Sequence, residues 1–196
     1  MLDRQMAEVF PLFLKLSGRV VLVVGGGEVA ERKVASLLEA GARVRLVTLA
    51  ATSELVAAAE RGALTLERRA FDPRDVDEAW LVVACTDDPA AQRRVGAACE
   101  ARRVFCLAVD DLANATAYGG SVVERPPFVI AISSSGHAPA LTRLLRAVIE
   151  HVLPPDSFVR RARALRAEWK RDGVPMEERF GRLVRAALAD QVGILK

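Results

Sequence analysis

Residues 19–47 constrain this chain more than any other segment. Residues 19–24 are β-branched and apolar after Arg19, and they stop at Gly25-Gly26-Gly27. In residues 28–40, Val29, Ala30, Lys33, Val34, Leu37 and Leu38 recur at helical spacing. Gly41 stands where a helix closes in the left-handed conformation, and residues 42–47 read as a second strand. Strand, glycine turn, helix and strand make a βαβ unit, whose strands run parallel through a right-handed crossover.

The alternation continues. A helix is expected near residues 52–61, strands at 63–67 and 79–84, a helix at 89–102 and a strand at 104–109. Such a chain is α/β, with a parallel sheet covered on both faces. After Asp111 the rhythm changes: residues 116–123 and 128–132 predict two strands joined by Glu124-Arg125-Pro126-Pro127, and residues 139–152 a helix. This stretch is too small to bury its own apolar faces, and pairing with a second copy would cover them. Pro154-Pro155 breaks the chain before helical patterns near 157–170 and 176–189. There is no internal repeat.

Composition narrows the class. With 196 residues, 52% hydrophobic and 27% charged, the chain has the balance of a globular protein. No apolar run approaches the roughly 20 residues of a membrane span, and Asp3, Arg4 and Glu8 make the start too charged for a signal peptide, so a cytoplasmic location and no membrane partner are expected. The three cysteines, Cys85, Cys99 and Cys106, lack CxxC spacing and read as reduced core thiols. A net charge of +3 gives no argument for nucleic acid. Charge is uneven, however: residues 142–171 hold eight Lys and Arg against three acidic residues, among them Arg143, Arg146, Arg160, Arg161, Arg163 and Arg166. That region can attract an anion, or it is a solvated helix face.

Gly25, Gly27 and Ala30 fit GxGxxA, the dinucleotide fingerprint. The first glycine permits the tight turn, the second lets a pyrophosphate approach the backbone, and the small third residue lets helix and strand pack closely. The pattern stands between a strand and a helix, the context its mechanism needs. Contacts to a dinucleotide are expected from Gly25, Gly26, Gly27, Glu28, Val29 and Ala30, and from Thr48 at the end of the second strand. That strand ends without the acidic residue that binds a ribose 2′-hydroxyl, so the fingerprint leaves NAD and NADP both open. Ala84-Cys85-Thr86-Asp87-Asp88 follows a strand at the same sheet edge. Thr86 and Asp87 are cofactor candidates, while Asp88 reads as a helix cap. Asp110 and Asp111 end the next strand there, and either can face the crevice as a general base; strand-end aspartates are also common turn residues.

Ser133-Ser134-Ser135-Gly136-His137-Ala138-Pro139 is a small polar loop leading into a helix, suited to holding a carboxylate. His137 and His151 have no companion at ligand spacing, so no metal site is expected.

These segments together resemble the precorrin-2 dehydrogenase/sirohydrochlorin ferrochelatase family, including the N-terminal half of siroheme synthases. The resemblance is carried by FPLFLKL at 10–16, VVLVVGGGEVAERKVASLLEAGARV at 20–44, ACTDD at 84–88, FCLAVDD at 105–111 and ISSSGHAPALTRLLR at 132–146. It covers about residues 9–155. It implies an NAD-binding Rossmann domain at 1–113, a small α+β dimerisation domain at 114–153 and a helical domain at 154–196. It implies NAD as cofactor, a tetrapyrrole substrate, oxidation of precorrin-2 to sirohydrochlorin, and in some members insertion of ferrous iron. It places the family's catalytic aspartate at Asp110 and its loop serine at Ser134; for a macrocycle fringed with carboxylates, Ser133, Ser135 and Gly136 of the polar loop and the basic Arg143, Arg146 and Arg160 to Arg166 cluster are candidate contacts. A homodimer is implied as well. The chain leaves no room for the methyltransferase half of the fused enzymes, so precorrin-2 is expected from another protein. Two rival readings keep the same fold: a non-catalytic module that senses NAD, and a chelatase that needs no NAD. An S-adenosylmethionine-dependent methyltransferase would use the same glycine turn but leaves the later segments unexplained.

Overall fold

The computed structural model describes residues 9–135 and 138–189, in two compact units divided between Gly119 and Gly120. The first unit alternates β1 (Val20–Val24), α1 (Glu28–Glu39), β2 (Arg43–Thr48), α2 (Ser53–Glu60), β3 (Leu64–Arg68), β4 (Leu81–Ala84), α3 (Pro89–Arg102) and β5 (Phe105–Ala108). All five strands are parallel, in the order β3-β2-β1-β4-β5. The order reverses between β1 and β4, and a crevice at the carboxyl ends of the strands opens at such a switch point. This is the Rossmann-like sheet expected from the sequence.

Burial explains why β1 is a continuous apolar run. Val21 and Val23 face one layer with Ala30 and Val34 of α1, and Leu22 and Val24 face the other with Val95 and Cys99 of α3. A strand covered on both faces has no polar side. α1 ends as the sequence predicts: Gly41 is left-handed at φ +75, its N–H donates to the Leu38 carbonyl at 2.9 Å, and the Ala42 N–H donates to the Leu37 carbonyl at 3.0 Å. These are the two bonds of a Schellman cap.

The β3–β4 connection contains a 3-10 turn, Pro73–Val76, capped by Asp72, which the sequence pattern did not predict. Asp75, only 4% exposed, accepts from Arg69 Nη1 at 2.8 Å, from the Asp72 N–H at 2.9 Å and from Arg45. Glu67 joins through Arg45 at 2.6 Å and Arg69 at 3.0 Å. Burial alone would raise the Asp75 carboxyl, but the bonds from Arg69 and Asp72 prevail and hold it below the ordinary aspartate range.

The second unit comprises a hairpin, β6 (Ser121–Arg125) and β7 (Phe128–Ile132), followed by α4 (Pro139–Val152), α5 (Asp156–Arg171) and α6 (Met176–Ala189). The expected strand at 116–123 is corrected: pairing starts only at Ser121. The N–H groups of Thr116 and Ala117 instead donate to the Cys106 carbonyl at 2.9 and 3.0 Å, which ties that stretch to β5. Strand β4 likewise begins at Leu81, not 79, because the Ala79 N–H closes on the Val76 carbonyl at 3.0 Å. Among the described residues no helix is long and apolar enough to cross a membrane.

Candidate active site

The glycine turn is built by crowding. Gly25 sits at φ +112, and a Cβ there would overlap the Cys85 carbonyl. A Cβ at Gly26 would overlap the Ala50 carbonyl and press on Thr48 at 2.9 Å. The Gly25 N–H donates to the Val47 carbonyl at 3.1 Å and the Thr52 N–H to the Gly26 carbonyl at 3.0 Å, which pins the turn against the end of β2. Gly27 differs. It is exposed, nothing lies within 4 Å of where its Cβ would stand, and as the N-cap of α1 it supplies no side chain to the helix amides. An open approach beside uncapped first-turn N–H groups fits a dinucleotide pyrophosphate, with the helix dipole adding to the attraction. Ala30 is fully buried against β1, where a larger residue would push the helix away.

Thr48 is buried, and its hydroxyl donates to the Ala50 carbonyl at 2.7 Å, so it braces the turn from beneath. Glu28 is exposed at the start of α1. Val29 opens onto a cleft of about 330 Å³ whose wall also includes Cys85, Thr86, Asp87, Gln92, Asp110 and Asp111. The fold therefore brings the helix of the glycine turn, the β4 end and the β5 end to one place.

Inside that cleft the neighbouring aspartates separate. Asp111 caps the short turn Leu112–Asn114, accepting from the Asn114 N–H at 3.3 Å and from its side-chain amide at 2.6 Å. Asp110 is exposed, has no hydrogen-bond or ion-pair partner among the described residues, and is left-handed at φ +57. A non-glycine residue in that region is strained and persists only where its surroundings enforce it. Asp88 is the cap of α3, accepting from the Ala90 N–H at 2.8 Å, as read from the sequence. The Thr86 hydroxyl accepts the Asp88 N–H at 3.2 Å and keeps its own proton to donate.

Cys85 is half-buried in the same wall. Burial pushes its thiol up to about 11; the Lys33 charge opposes the rise and the Asp110 charge adds to it. Lys33 thus reaches the cleft electrostatically from α1, a role its place in the helical stripe concealed. Gln92 is the other residue not singled out from the sequence. It is 4% exposed, and its signal was present: it shares the buried face of α3 with Val95, Ala98 and Cys99, where an amide is out of character.

In the second unit the serine loop is internally bonded. Ser133 Oγ accepts the Ser135 N–H at 3.1 Å, Ser134 Oγ accepts the Ala138 N–H at 3.0 Å, and Ser135 is left-handed at φ +52. Both acceptor hydroxyls retain a proton for an anion. Gly136 and His137 lie outside the described residues. Arg146 pairs with Glu150 at 2.9 Å, whereas Arg143 is exposed without an ion-pair partner among the described residues. Among those residues no group of three or more His, Cys, Asp and Glu could hold a metal.

Comparison with known proteins agrees with this geometry. Siroheme synthase of Escherichia coli O139:H28 (strain E24377A / ETEC) is 43% identical over 171 residues, 86% of this chain and 37% of that protein. Siroheme synthase of Escherichia coli (strain K12 / DH10B) is 46% identical over 144 residues, 74% of this chain and 32% of that protein. The chain spans well under half the length of these relatives. A solved structure titled "SirC, precorrin-2 dehydrogenase" superposes with a TM-score of 0.73 at 21% identity, covering 90% of this chain and 88% of that one, a likeness of fold. Residues 12–121, the strands and turns that build the cleft and more than half of the chain, match the family described as "Putative NAD(P)-binding", and the chain belongs to that family.

Proposed function

We propose that this chain is an NAD-dependent dehydrogenase that oxidises precorrin-2 to sirohydrochlorin on the way to siroheme. The observation that carries the reading is the free Asp110 carboxylate in a cleft that the helix of the glycine turn also lines. Support comes from the NAD(P)-binding family and from similarity to proteins called siroheme synthase.

When bound, the nicotinamide ring supplies a hydride acceptor. Gly25, Gly26, Gly27 and the first turn of α1 hold the pyrophosphate, and the Thr86 hydroxyl and Asp87 lie at the cleft's rim. Asp110 accepts the proton that the reduced macrocycle loses as its new double bond forms, so two electrons and two protons leave in all. Ser133, Ser134, Ser135, Gly136, Arg143 and Arg146 are substrate contacts for the macrocycle's carboxylates, with hydroxyl protons and guanidinium charge as the complementary chemistry. The same unpartnered carboxylate is suited to pyrrole deprotonation, so insertion of ferrous iron as a second substrate belongs to the reading.

A division into three domains belongs to it too: its boundary at 153/154 falls between α4 and α5, and the one read at 113/114 lies a few residues before the break between Gly119 and Gly120. So does a homodimer: Val122, Val129, Leu141, Leu144, Leu145 and Val148 are exposed in one small unit, an apolar surface that a second copy would cover. A cytoplasmic setting completes it, in keeping with three free thiols.

The test is anaerobic incubation of the purified protein with enzymatically generated precorrin-2, following NADH and the tetrapyrrole spectrum with and without NAD. NAD-dependent formation of sirohydrochlorin supports the dehydrogenase. Folded protein that binds NAD yet forms no NADH would move the sensing module into first place.

A further inference from the structure

We propose that Gln92 is the positioning residue of the cleft: its side-chain amide spans the carboxyl ends of β4 and β5 and holds the peptide that presents Asp110. The inference rests on reading Asp110 as the proton acceptor.

Gln92 Nε2 donates to the Val109 carbonyl at 3.3 Å and to the Ala84 carbonyl at 3.4 Å. The Ala84 carbonyl also receives the Val109 N–H at 3.0 Å, so three elements meet at one node. The orientation of the amide is set by chemistry, because reversing it would aim its oxygen at two carbonyl oxygens. Gln92 Oε1, by contrast, is buried with no hydrogen-bond partner among the described residues. A buried acceptor without a partner lowers stability, and a methionine or leucine would fill similar space on the apolar face of α3 without that penalty.

Packing of α3 therefore does not explain the amide. What its N–H groups hold does. The Val109 carbonyl belongs to the peptide bond leading into Asp110, and the plane of that peptide helps set the left-handed backbone at φ +57. Beyond Asp110, the side chain of Asp111 is fixed by Asn114. The Asp110 backbone is thus held through its preceding peptide by Gln92, while no described residue bonds its side chain.

The experiment compares Gln92→Met and Gln92→Leu with a packing control on the same helix, Val95→Ala, in wild-type and Asp110→Ala backgrounds. The readouts are melting temperature, NAD affinity, and kcat and KM for precorrin-2. Each Gln92 variant that folds is expected to bind NAD within about threefold and lose roughly 10- to 100-fold in kcat with KM little changed, the size of effect expected when a catalytic group is displaced by about 1 Å, and at least one to melt at or above the wild-type temperature. Val95→Ala should lower the melting temperature and leave kcat per folded molecule near wild type. In the Asp110→Ala background the Gln92 substitutions should cost nothing further. Full kcat in either folded Gln92 variant, or an equal loss in both backgrounds, overturns the proposal. An Asp110→Ala protein that retains wild-type kcat would instead overturn the catalytic reading on which it stands.

Discussion

Asp111 accepts both the backbone N–H and the side-chain amide of Asn114, at 3.3 and 2.6 Å, whereas no described residue engages the carboxylate of its neighbour Asp110 in the same cleft. The two residues are adjacent in the chain and chemically identical, yet their substitutions should have opposite consequences. Asp110→Ala is expected to lower turnover by about 10²- to 10⁴-fold, the range of a lost general base, with NAD affinity and melting temperature near wild type. Asp111→Ala is expected to cost about 1 kcal/mol through the lost cap while keeping most of the turnover. Steady-state kinetics beside thermal denaturation separates the two, and equal kinetic losses would remove the distinction.

The glycines of the turn should divide as well. Gly25→Ala and Gly26→Ala drive a methyl group into backbone carbonyls that cannot yield, so both should lower the melting temperature sharply or prevent folding. Gly27→Ala meets open space and should fold normally, but its methyl would occupy the approach of the pyrophosphate. At least a tenfold weaker NAD affinity at unchanged melting temperature is expected, measurable by calorimetric titration. Unchanged affinity would place the pyrophosphate elsewhere.

Acid sensitivity should trace in part to Asp75. Its folded carboxyl titrates below the ordinary aspartate value, so its contribution to stability is complete above that value and is lost as pH falls through the folded one. The loss should begin below about pH 4. Asp75→Asn is expected to destabilise the protein at neutral pH by roughly 2–3 kcal/mol, less than the full cost of breaking a buried pair because Arg45 and Arg69 keep some contact with water. Its denaturation curves should also depend less on pH below about 4. An identical acid dependence in variant and wild type would exclude Asp75 as the source.

Cys85 should be chemically quiet despite lining the cleft. With its thiol raised to about 11, only about one molecule in a thousand carries the thiolate at pH 8. Alkylation by iodoacetamide should be slow there and accelerate about tenfold per pH unit up to about pH 10. Rapid modification at pH 7 would show that the cleft is wetter and more electropositive than the burial of this thiol implies.

The sequence by itself determined the elements whose cause is local. The apolar run of β1, the three glycines after it, the helical stripe from Glu28 and the closing Gly41 act within a few residues of one another, and each element formed as its pattern predicts. The bounds of α4 and the start of α6 were likewise legible, because Pro139, Pro154-Pro155, Pro175 and the 3.6-residue spacing of apolar side chains are neighbours in the chain. Tertiary structure decided what depends on distant partners. It ended the reach of β6 toward residue 116, since the Cys106 carbonyl captured the Thr116 and Ala117 N–H groups. It set Thr48 to bracing the turn and separated Asp110 from Asp111 through Asn114. It also gave Gln92 its meaning, because the Ala84 and Val109 carbonyls that its amide joins come together only when β4 and β5 lie side by side. Periodicity reports which face of an element is buried; which polar group meets which is fixed by strand order and register, and those arise only when the sheet assembles.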